Sequence, residues 1–398
     1  MPSTSTDWFC IVNPHAGSGK TLPEWAIAEK YLAEKSVAYK TVLTNYKFHA
    51  TELACEAARE GYRRFLAVGG DGSVHEVLNG ILRFTGETGV PPEDFTLAVI
   101  PIGSGNDWIK SLGIPHDTRK VVELLAGDRF ARQDVVRVET ASLSGAAAEE
   151  DGASRDPHAS VVGYMANIGG VGFDSRVCER VNALKERGKR SKLIYLGALL
   201  QTLFTTRAFR TRIVADGETV FEGEVYSVAF GNGRYSGGGM RQVPLSEIDD
   251  GLLDYMIVPK APLLKLLTQL PRLYNGTANE SGLLISGRCR ELEMSQKSEE
   301  DTPDTQEVAR VSTPGAPAET ASCPGVQVEP ISCPGVQVEP VSTPGAPAEP
   351  PLCPGVQVEP VSTPGIPVEM DGEIVGRLPL RLSMTGSQIR VPVPVKNL

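Results

Sequence analysis

Short apolar runs alternate with amphipathic stretches over the first 130 residues. Four apolar runs predict strands, at 8–12, 39–43, 65–70 and 97–103. The amphipathic stretches predict helices, at 23–36, 50–61, 74–83 and 117–126. Apolar strands that are each followed by a helix favour a parallel sheet covered by helices on both faces. We therefore predict an α/β domain over residues 1–130.

The pattern changes after residue 130, where alternating and β-branched segments dominate. These segments predict eight strands, at 131–139, 161–168, 211–216, 219–230, 252–258, 284–294, 373–383 and 388–395. Two helices are predicted among them, near 176–204 and 261–275, and residues 141–159 indicate a loop. Asp-Gly pairs at 216–217 and 371–372 are typical of tight hairpins. We predict that residues 131–398 form an antiparallel β-sandwich domain.

Six related decapeptides occupy residues 311–370. Each has Pro-Gly at its fourth and fifth positions and Glu at its ninth, and together they hold 14 of the 30 prolines and no aromatic residue. Such a segment buries too little apolar surface to offset the entropy lost on ordering. We predict a disordered insertion in the β-sandwich domain, which is tolerated because the cost of loop closure rises slowly with length.

The formal charge of −10 comes from one stretch of the chain. Residues 299–370 contain eleven acidic residues and one basic residue, so the rest of the chain is formally neutral. A neutral body excludes the basic field of a general nucleic-acid-binding protein. The seven cysteines form no CxxC pair, which argues against a disulfide framework or a zinc site. Without a run of 18 apolar residues or an apolar N-terminal segment, the sequence predicts a cytoplasmic protein.

Three glycine-rich turns follow the first, third and fourth predicted strands. They span residues 13–20, 69–80 and 101–107. Ligands bind an open parallel sheet outside the carboxyl ends of its strands, where these turns fall. Glycines let the backbone approach phosphates, and a helix N-terminus offers N–H donors and a positive dipole end. The first turn lacks the spacing of a Walker A loop, so the three turns together predict a phosphate site of another kind.

The motifs NPHAGSGK, GGDGSVHEVLNG and PIGSGND of these turns resemble, in this order and spacing, the diacylglycerol kinase catalytic-domain family. The resemblance continues through residues 167–174, 231–233, 237–239 and 248–254 to Asp371-Gly372-Glu373. That family includes bacterial diacylglycerol kinases, YegS-type relatives, and sphingosine and ceramide kinases. The resemblance implies an NAD kinase-like or diacylglycerol kinase-like fold. It also implies transfer of the γ-phosphoryl group of ATP to a lipid hydroxyl, with Mg²⁺ as cofactor.

The resemblance places the nucleotide at the three turns and just after the second strand. The matching positions are Asn13, Gly17, Ser18, Gly19, Lys20, Thr44, Gly69, Gly70, Asp71, Gly72, Ser73, Val74, His75 and Ser104. Asp71 is the expected partner of Mg²⁺, which prefers oxygen ligands and keeps several waters. His75 stands where other members have asparagine, and we expect a hydrogen-bonding helix residue rather than a catalytic histidine.

Catalysis is assigned by the resemblance to Glu373, Asp107 and Asp71, and two proton acceptors stay open. In bacterial members the glutamate of the DGE turn accepts the proton, with the aspartate of the third turn beside it, which correspond to Glu373 and Asp107. Sphingosine kinases rely on the aspartate of the GDG turn, which corresponds to Asp71. Because Asp107 is present, the bacterial arrangement is favoured.

A second metal and a membrane contact are also implied. The structural metal of bacterial members corresponds to Glu247, Asp250 and Leu252; a capped turn without metal is the alternative. The basic stretch 187–192 and the apolar run 193–204 indicate contact with anionic lipid or, alternatively, a helix packed on the β domain. The expected partners are ATP and a membrane lipid, with peripheral attachment to the inner face of the membrane. Nucleic acid is not expected, and a homodimer is allowed.

Two other functions remain open at this point. A soluble-substrate kinase of the NAD kinase type shares the GGDG turn and the two-domain plan, but NPHAGSGK and PIGSGND argue against it. A non-catalytic scaffold that binds partners through the decapeptides is the other alternative. Asp71, Asp107 and Glu373 make the scaffold less attractive, because a spent kinase has no need of them.

Overall fold

Parallel strands and their connecting helices form the first part of the chain. The computed structural model describes residues 5–103, 105–142, 160–186, 202, 205–297 and 365–394. The strands are β1 (Ser5–Val12), β2 (Tyr39–Leu43), β3 (Tyr62–Gly69) and β4 (Thr96–Pro101). The helices are α1 (Thr21–Glu34), α2 (His49–Arg59), α3 (Asp71–Thr88), α4 (Trp108–Leu112) and α5 (Thr118–Leu125). The strands pair in parallel in the order β2-β1-β3-β4, so all four carboxyl ends lie at one edge.

Helix α3 begins at Asp71, three residues before the helix that the apolar pattern predicts. Its N-terminal turn therefore includes residues of the GGDG motif itself. The helix ends at Thr88 and is capped by Gly89 in the left-handed conformation, with φ of +73°. The short helix α4 was not predicted. It forms because Trp108, Ile109 and Leu112 are buried in the first hydrophobic core, which lies between the parallel strands and their helices.

The rest of the chain is dominated by antiparallel strands. They are β5 (Phe130–Ala141), β6 (Ser160–Met165), β7 (Ile168–Gly172), β8 (Phe209–Ala215), β9 (Glu218–Gly231), β10 (Leu253–Pro259), β11 (Ile285–Cys289), β12 (Glu291–Gln296), β13 (Pro367–Met370) and β14 (Glu373–Pro392). The described helices of this part are α6 (Phe173–Glu186), α7 (Leu263–Leu267) and α8 (Leu270–Asn275). None of the helices in the described ranges is long and apolar enough to cross a membrane.

Six of these strands pair in a closed ring, in the order β9-β7-β13-β14-β12-β8 and back to β9. Every pair in the ring is antiparallel. Apolar side chains from the ring and its neighbours form the second hydrophobic core, which includes Val171, Val228, Leu292 and Leu382. A sheet closed on itself leaves few exposed edges.

Strand β14 joins the two parts of the fold. It begins at Glu373 in a hairpin with β13, runs along β5, and ends beside β4, where Arg390 pairs with Thr96 in parallel. The prediction of two strands, 373–383 and 388–395, was wrong because a register irregularity between Met384 and Gln388 interrupts the pairing without ending the strand.

Three other predicted elements divide in two. The predicted strand 161–168 is β6 and β7, and the predicted strand 284–294 is β11 and β12. The predicted helix 261–275 is α7 and α8, which are separate because Pro271, in the first turn of α8, has no N–H with which to continue α7. Helix α6 accounts for the predicted helix 176–204 as far as Glu186, and the basic stretch 187–192 lies outside the described residues.

The predicted disorder of residues 311–370 was wrong at its end. Residues 367–370, the close of the last decapeptide, form β13, which pairs with β7 and β14 and buries Val368 and Met370. Strand pairing and burial here outweigh a Pro-rich composition. The remaining decapeptides lie outside the described residues, as does most of the loop 141–159.

We expect that removal of residues 311–360 leaves the fold intact. Strand β12 is held by β8 and β14, and β13 by β7 and β14, so both sides of the insertion are anchored by strand pairs. The melting temperature should stay within about 3 °C of that of the full chain, since a shorter loop costs slightly less to close. A large fall in the melting temperature of the deletion variant would show that the decapeptides belong to the fold.

Candidate active site

The three glycine-rich turns pack against one another at the carboxyl ends of β1, β3 and β4. Gly17 lies so close to the third turn that a Cβ atom there would sit 2.4 Å from the carbonyl oxygen of Ile102. A Cβ atom on Gly103 would sit 2.6 Å from the Cα atom of Gly70. The N–H of Ile102 donates to the carbonyl oxygen of Gly69 at 2.8 Å. The turns therefore form one continuous backbone surface at the sheet edge where the sequence places them.

Asp71 is the first residue of α3 and connects the second turn to the third. Its Oδ2 atom accepts the N–H of Asp107 at 2.9 Å, and its Oδ1 atom accepts the N–H of Trp108 at 3.2 Å. Loss of hydration, and then the negative charges of Asp107 and Asp371, raise the pKa of Asp71 to about 6. A cation bound next to this buried carboxylate would stabilise its ionised form.

Asp107 holds the third turn against the glycine run 237–239. Its Oδ2 atom accepts the N–H of Gly238 at 2.7 Å, and its Oδ1 atom accepts a hydrogen bond from the Lys110 ammonium at 2.5 Å. The side chain is buried, so both contacts are shielded from water. Both carboxylate oxygens are thus engaged, which suits Asp107 to positioning the site rather than to accepting a proton.

Glu373 reaches the N-terminus of α3 from the start of β14. A Cβ atom on Gly72 would lie 3.2 Å from its Oε1 atom, so this carboxylate oxygen lies directly over the first turn of the helix. Its Oε2 atom lies 2.8 Å from the Nζ atom of Lys47. The structure therefore brings Glu373 and Asp71, which are 302 positions apart in the sequence, to the same helix end.

Asp371 fixes the turn that presents Glu373. Its carboxylate accepts the N–H groups of Ala166 and Asn167 at 3.3 and 3.0 Å and lies 3.1 Å from the Nδ1 atom of His75. Both His75 and Asp371 are buried. The side chain of His75 is thus committed to Asp371, in agreement with the expected hydrogen-bonding role, and its assignment to the nucleotide stays a prediction.

The other predicted nucleotide residues lie in or beside the same turns. Asn13 follows β1, and its Oδ1 atom accepts the N–H of His15 at 3.0 Å. Thr44 is buried after β2, and its N–H donates to Val12. Gly69, Gly70, Gly72, Ser73 and Val74 lie at the end of β3 and the start of α3, while Gly17, Ser18, Gly19 and Lys20 lie between β1 and α1. Ser104 lies outside the described residues.

The predicted structural-metal residues lie elsewhere, in the loop before β10. There Asp250 has other partners: its Oδ2 atom lies 3.0 Å from the Nη2 atom of Arg288, and its Oδ1 atom accepts the N–H of Leu252 at 3.0 Å. Arg288 also pairs with Asp254 at 3.1 Å. In the described ranges no group of three or more His, Cys, Asp or Glu residues is placed to hold a metal. The assignment of Glu247, Asp250 and Leu252 to a metal stays a prediction. The guanidinium of Arg288 supplies a positive charge to this loop in the place where the prediction puts a metal.

We expect Arg288 rather than a metal to stabilise this loop. EDTA should therefore leave the melting temperature of the full chain unchanged, whereas Arg288→Met should lower it by about 4–8 °C, because two carboxylates lose their shared partner. Arg381→Met, which removes an exposed arginine paired with Glu291 and Glu293, is the matched control and should have little effect. A clear fall in melting temperature with EDTA would favour the metal.

Sequence reasoning did not identify three groups that the structure brings to the site. Lys47 pairs with Glu373, Lys110 pairs with Asp107, and the N–H of Gly238 binds Asp107. Lys110 follows PIGSGND by three residues and could have been found from the helical spacing to Asp107. Lys47 carries no local signal, because its partner is 326 positions away in the sequence.

Comparison with known proteins adds to this geometry. Residues 7–138 match the family model of the diacylglycerol kinase catalytic domain, and residues 167–316 match that of the YegS C-terminal NAD kinase beta sandwich-like domain. A crystal structure of a diacylglycerol kinase from Bacillus anthracis str. Sterne has a TM-score of 0.59 and 17% sequence identity, over 98% of both chains. That likeness shows the fold.

Two relatives are similar over most of their length. A diacylglycerol kinase of Mycobacterium tuberculosis is 26% identical over 280 residues, which cover 70% of this chain and 82% of the relative. A YegS-like lipid kinase of Xanthomonas euvesicatoria pv. vesicatoria is 30% identical over 254 residues, which cover 63% of this chain and 73% of the relative. The chain thus belongs to the diacylglycerol kinase catalytic-domain family, with a C-terminal domain of the YegS type.

Proposed function

We propose that this protein is an ATP-dependent lipid kinase that transfers the γ-phosphoryl group to a hydroxyl of diacylglycerol or of a sphingoid or ceramide-type lipid. The observation that carries the proposal is that Asp71 and Glu373 both lie at the N-terminus of α3, next to the three packed turns. A phosphate site, a carboxylate suited to a cation and a candidate proton acceptor thus lie together, as phosphoryl transfer requires.

The triphosphate of ATP would lie on the surface formed by the turns. The first amide groups of an α-helix lack partners within the helix, and the helix dipole favours negative charge at that end, so the N-terminus of α3 suits a phosphate. Gly70 and Gly103 leave no side chain between the backbone and a phosphate. The turn sequences therefore position the phosphates by close approach rather than by a cluster of lysines and arginines.

Magnesium fits this site through Asp71. Loss of hydration, and then the charges of Asp107 and Asp371, raise the pKa of that carboxyl, and a divalent cation would stabilise its ionised form. One or two carboxylates with water suffice for Mg²⁺. When bound, Mg²⁺ would supply charge neutralisation to the phosphates. Asp71 would hold it, with its orientation fixed by the N–H groups of Asp107 and Trp108.

Glu373 is the better placed of the two proton acceptors. Both oxygens of Asp71 accept backbone N–H groups, whereas Oε1 of Glu373 lies over the start of α3. As the hydroxyl oxygen of the lipid bonds to the γ-phosphorus, the bond from that phosphorus to the bridging oxygen breaks. ADP leaves, and the hydroxyl proton passes to the Glu373 carboxylate. The products are ADP and a phosphorylated lipid.

The acceptor must be a lipid for this proposal to hold. Full-chain protein should be incubated with γ-labelled ATP and Mg²⁺ in the presence of diacylglycerol, sphingosine or ceramide vesicles, with NAD as the soluble alternative. Label in a lipid product, together with vesicle co-sedimentation, supports a lipid kinase with peripheral membrane contact. Label in NADP alone would show the NAD kinase type, and no transfer to any acceptor would favour the scaffold.

A further inference from the structure

Lys47 lies on the segment between β2 and α2, next to the proposed proton acceptor. Its ammonium is 2.8 Å from Oε2 of Glu373, and its side chain is 59% exposed whereas that of Glu373 is 23% exposed. Burial lowers the pKa of Lys47, but the hydrogen bond and charge of Glu373, with the charge of Glu76, outweigh it and raise the pKa overall. The lysine is therefore a permanent cation beside Glu373.

The segment that carries Lys47 is tied to α3. Glu76 of α3 accepts the N–H of Ala50 at 3.2 Å, and its carbonyl oxygen accepts the hydroxyl of Thr51 at 3.0 Å. Phe48 adopts the left-handed conformation, with φ of +68°, and the Lys47 ammonium lies 4.9 Å from the centre of its ring. The start of α2 is thus fixed to the same helix whose N-terminus Glu373 overlies.

We propose that Lys47 is a positioning residue that holds the Glu373 carboxylate in the orientation needed to accept the lipid proton. The proposal rests on the proposed function. The pairing holds Oε2 and leaves Oε1 over Gly72, at the end of the helix where the phosphates would lie. An unpaired glutamate has three rotatable bonds and would sample several rotamers.

The positive charge of Lys47 also offsets the repulsion that nearby negative charges exert on Glu373. Glu373 stands near Glu76, and ATP would add several negative charges at the same helix end. Without a cation, like-charge repulsion would move the Glu373 side chain away from the phosphates. Lys47 offsets that repulsion on the side of Glu373 that faces away from Gly72.

The test compares steady-state kinetics of Lys47→Met, Lys47→Arg and Lys40→Met on the lipid that the full chain phosphorylates. Lys40 is the matched control, since it is an exposed lysine of β2 paired with Glu60 at 3.3 Å. We expect Lys47→Met to lower kcat roughly 10–100-fold with the KM for ATP within about threefold, because the acceptor is misplaced rather than lost. Lys47→Arg should recover most of kcat, and Lys40→Met should match the full chain.

The double variant Lys47→Met with Glu373→Gln separates positioning from other roles. If Lys47 acts through Glu373, the methionine substitution should add no further loss to the glutamine variant. An unchanged kcat in Lys47→Met, a rise in the KM for ATP at constant kcat, or the same loss in both backgrounds would each overturn the proposal. Activity of the full chain on lipid decides the proposed function separately, because this proposal concerns only ratios between variants.

Discussion

Replacement of Asp71 by asparagine is expected to lower phosphoryl transfer by about 10³-fold or more while the chain stays folded. The substitution removes the charge that would neutralise Mg²⁺ and the phosphates, whereas the side-chain oxygen still accepts one of the two backbone N–H groups, from Asp107 or Trp108. The measurement is the initial rate with labelled ATP and lipid, alongside far-UV circular dichroism.

The same variant tests the raised pKa of Asp71 in metal-free protein. The pKa is about 6 in the folded chain and 3.8 without its environment. Between these values the folded chain binds more protons than the unfolded chain, so its stability falls as the pH rises from about 4 to about 6. The variant lacks this titration. The unfolding free energy of the variant, relative to that of the full chain, should therefore rise between about pH 4 and about pH 6, by at most about 3 kcal/mol and by less after solvent screening. Its melting temperature relative to that of the full chain should rise over the same pH range.

Asp117→Asn is the matched control for this prediction. Asp117 is exposed at the N-terminus of α5 and accepts the N–H of Lys120 at 3.0 Å, so it is also a helix-terminal aspartate that binds a backbone N–H. Its substitution should leave transfer unchanged. Activity of Asp71→Asn within a few-fold of the full chain would show that Asp71 has another role.

The position of the candidate site in the fold could be predicted because it depends on the local order of strands and turns along the sequence. Apolar runs followed by Gly-rich turns identify strand ends, and parallel strands bring those ends to one edge of a sheet. Asp71 follows directly from β3 in this way. The packing of Gly17 on Ile102 and of Gly103 on Gly70 was not predicted in detail, but it explains why these positions carry no side chain.

Contacts between residues far apart in the sequence could not be predicted from the hydrophobic and polar pattern. Strand β13 ends a segment whose composition indicates disorder, and it forms because β7 and β14 supply hydrogen bonds from both sides. The pairings of Lys47 with Glu373 and of His75 with Asp371 join residues that are hundreds of positions apart. Only the resemblance to the kinase family related the DGE turn to the GGDG turn, and no local periodicity carries that information.

Replacement of Glu373 by glutamine is expected to lower kcat by about 10²–10⁴-fold with little change in the KM for ATP. Glutamine keeps the size of the side chain and an oxygen that accepts a hydrogen bond from Lys47, but it does not accept a proton at neutral pH. The effect should therefore appear in the transfer step and not in nucleotide binding. Steady-state kinetics over a range of ATP concentrations, at saturating lipid, separate the two parameters.

Glu60→Gln is the appropriate comparison, because Glu60 forms a similar but exposed ion pair with Lys40 on the surface of the same region. That variant should keep the kcat of the full chain, so a loss confined to Glu373→Gln is due to the site and not to a lost surface pair. An unaffected rate in Glu373→Gln beside an inactive Asp71→Asn would assign proton acceptance to Asp71. The chain would then use the arrangement of the sphingosine kinases. In that case the contact of Glu373 with the start of α3 would serve to position the DGE turn, and the two N–H groups that bind Asp71 would orient the base.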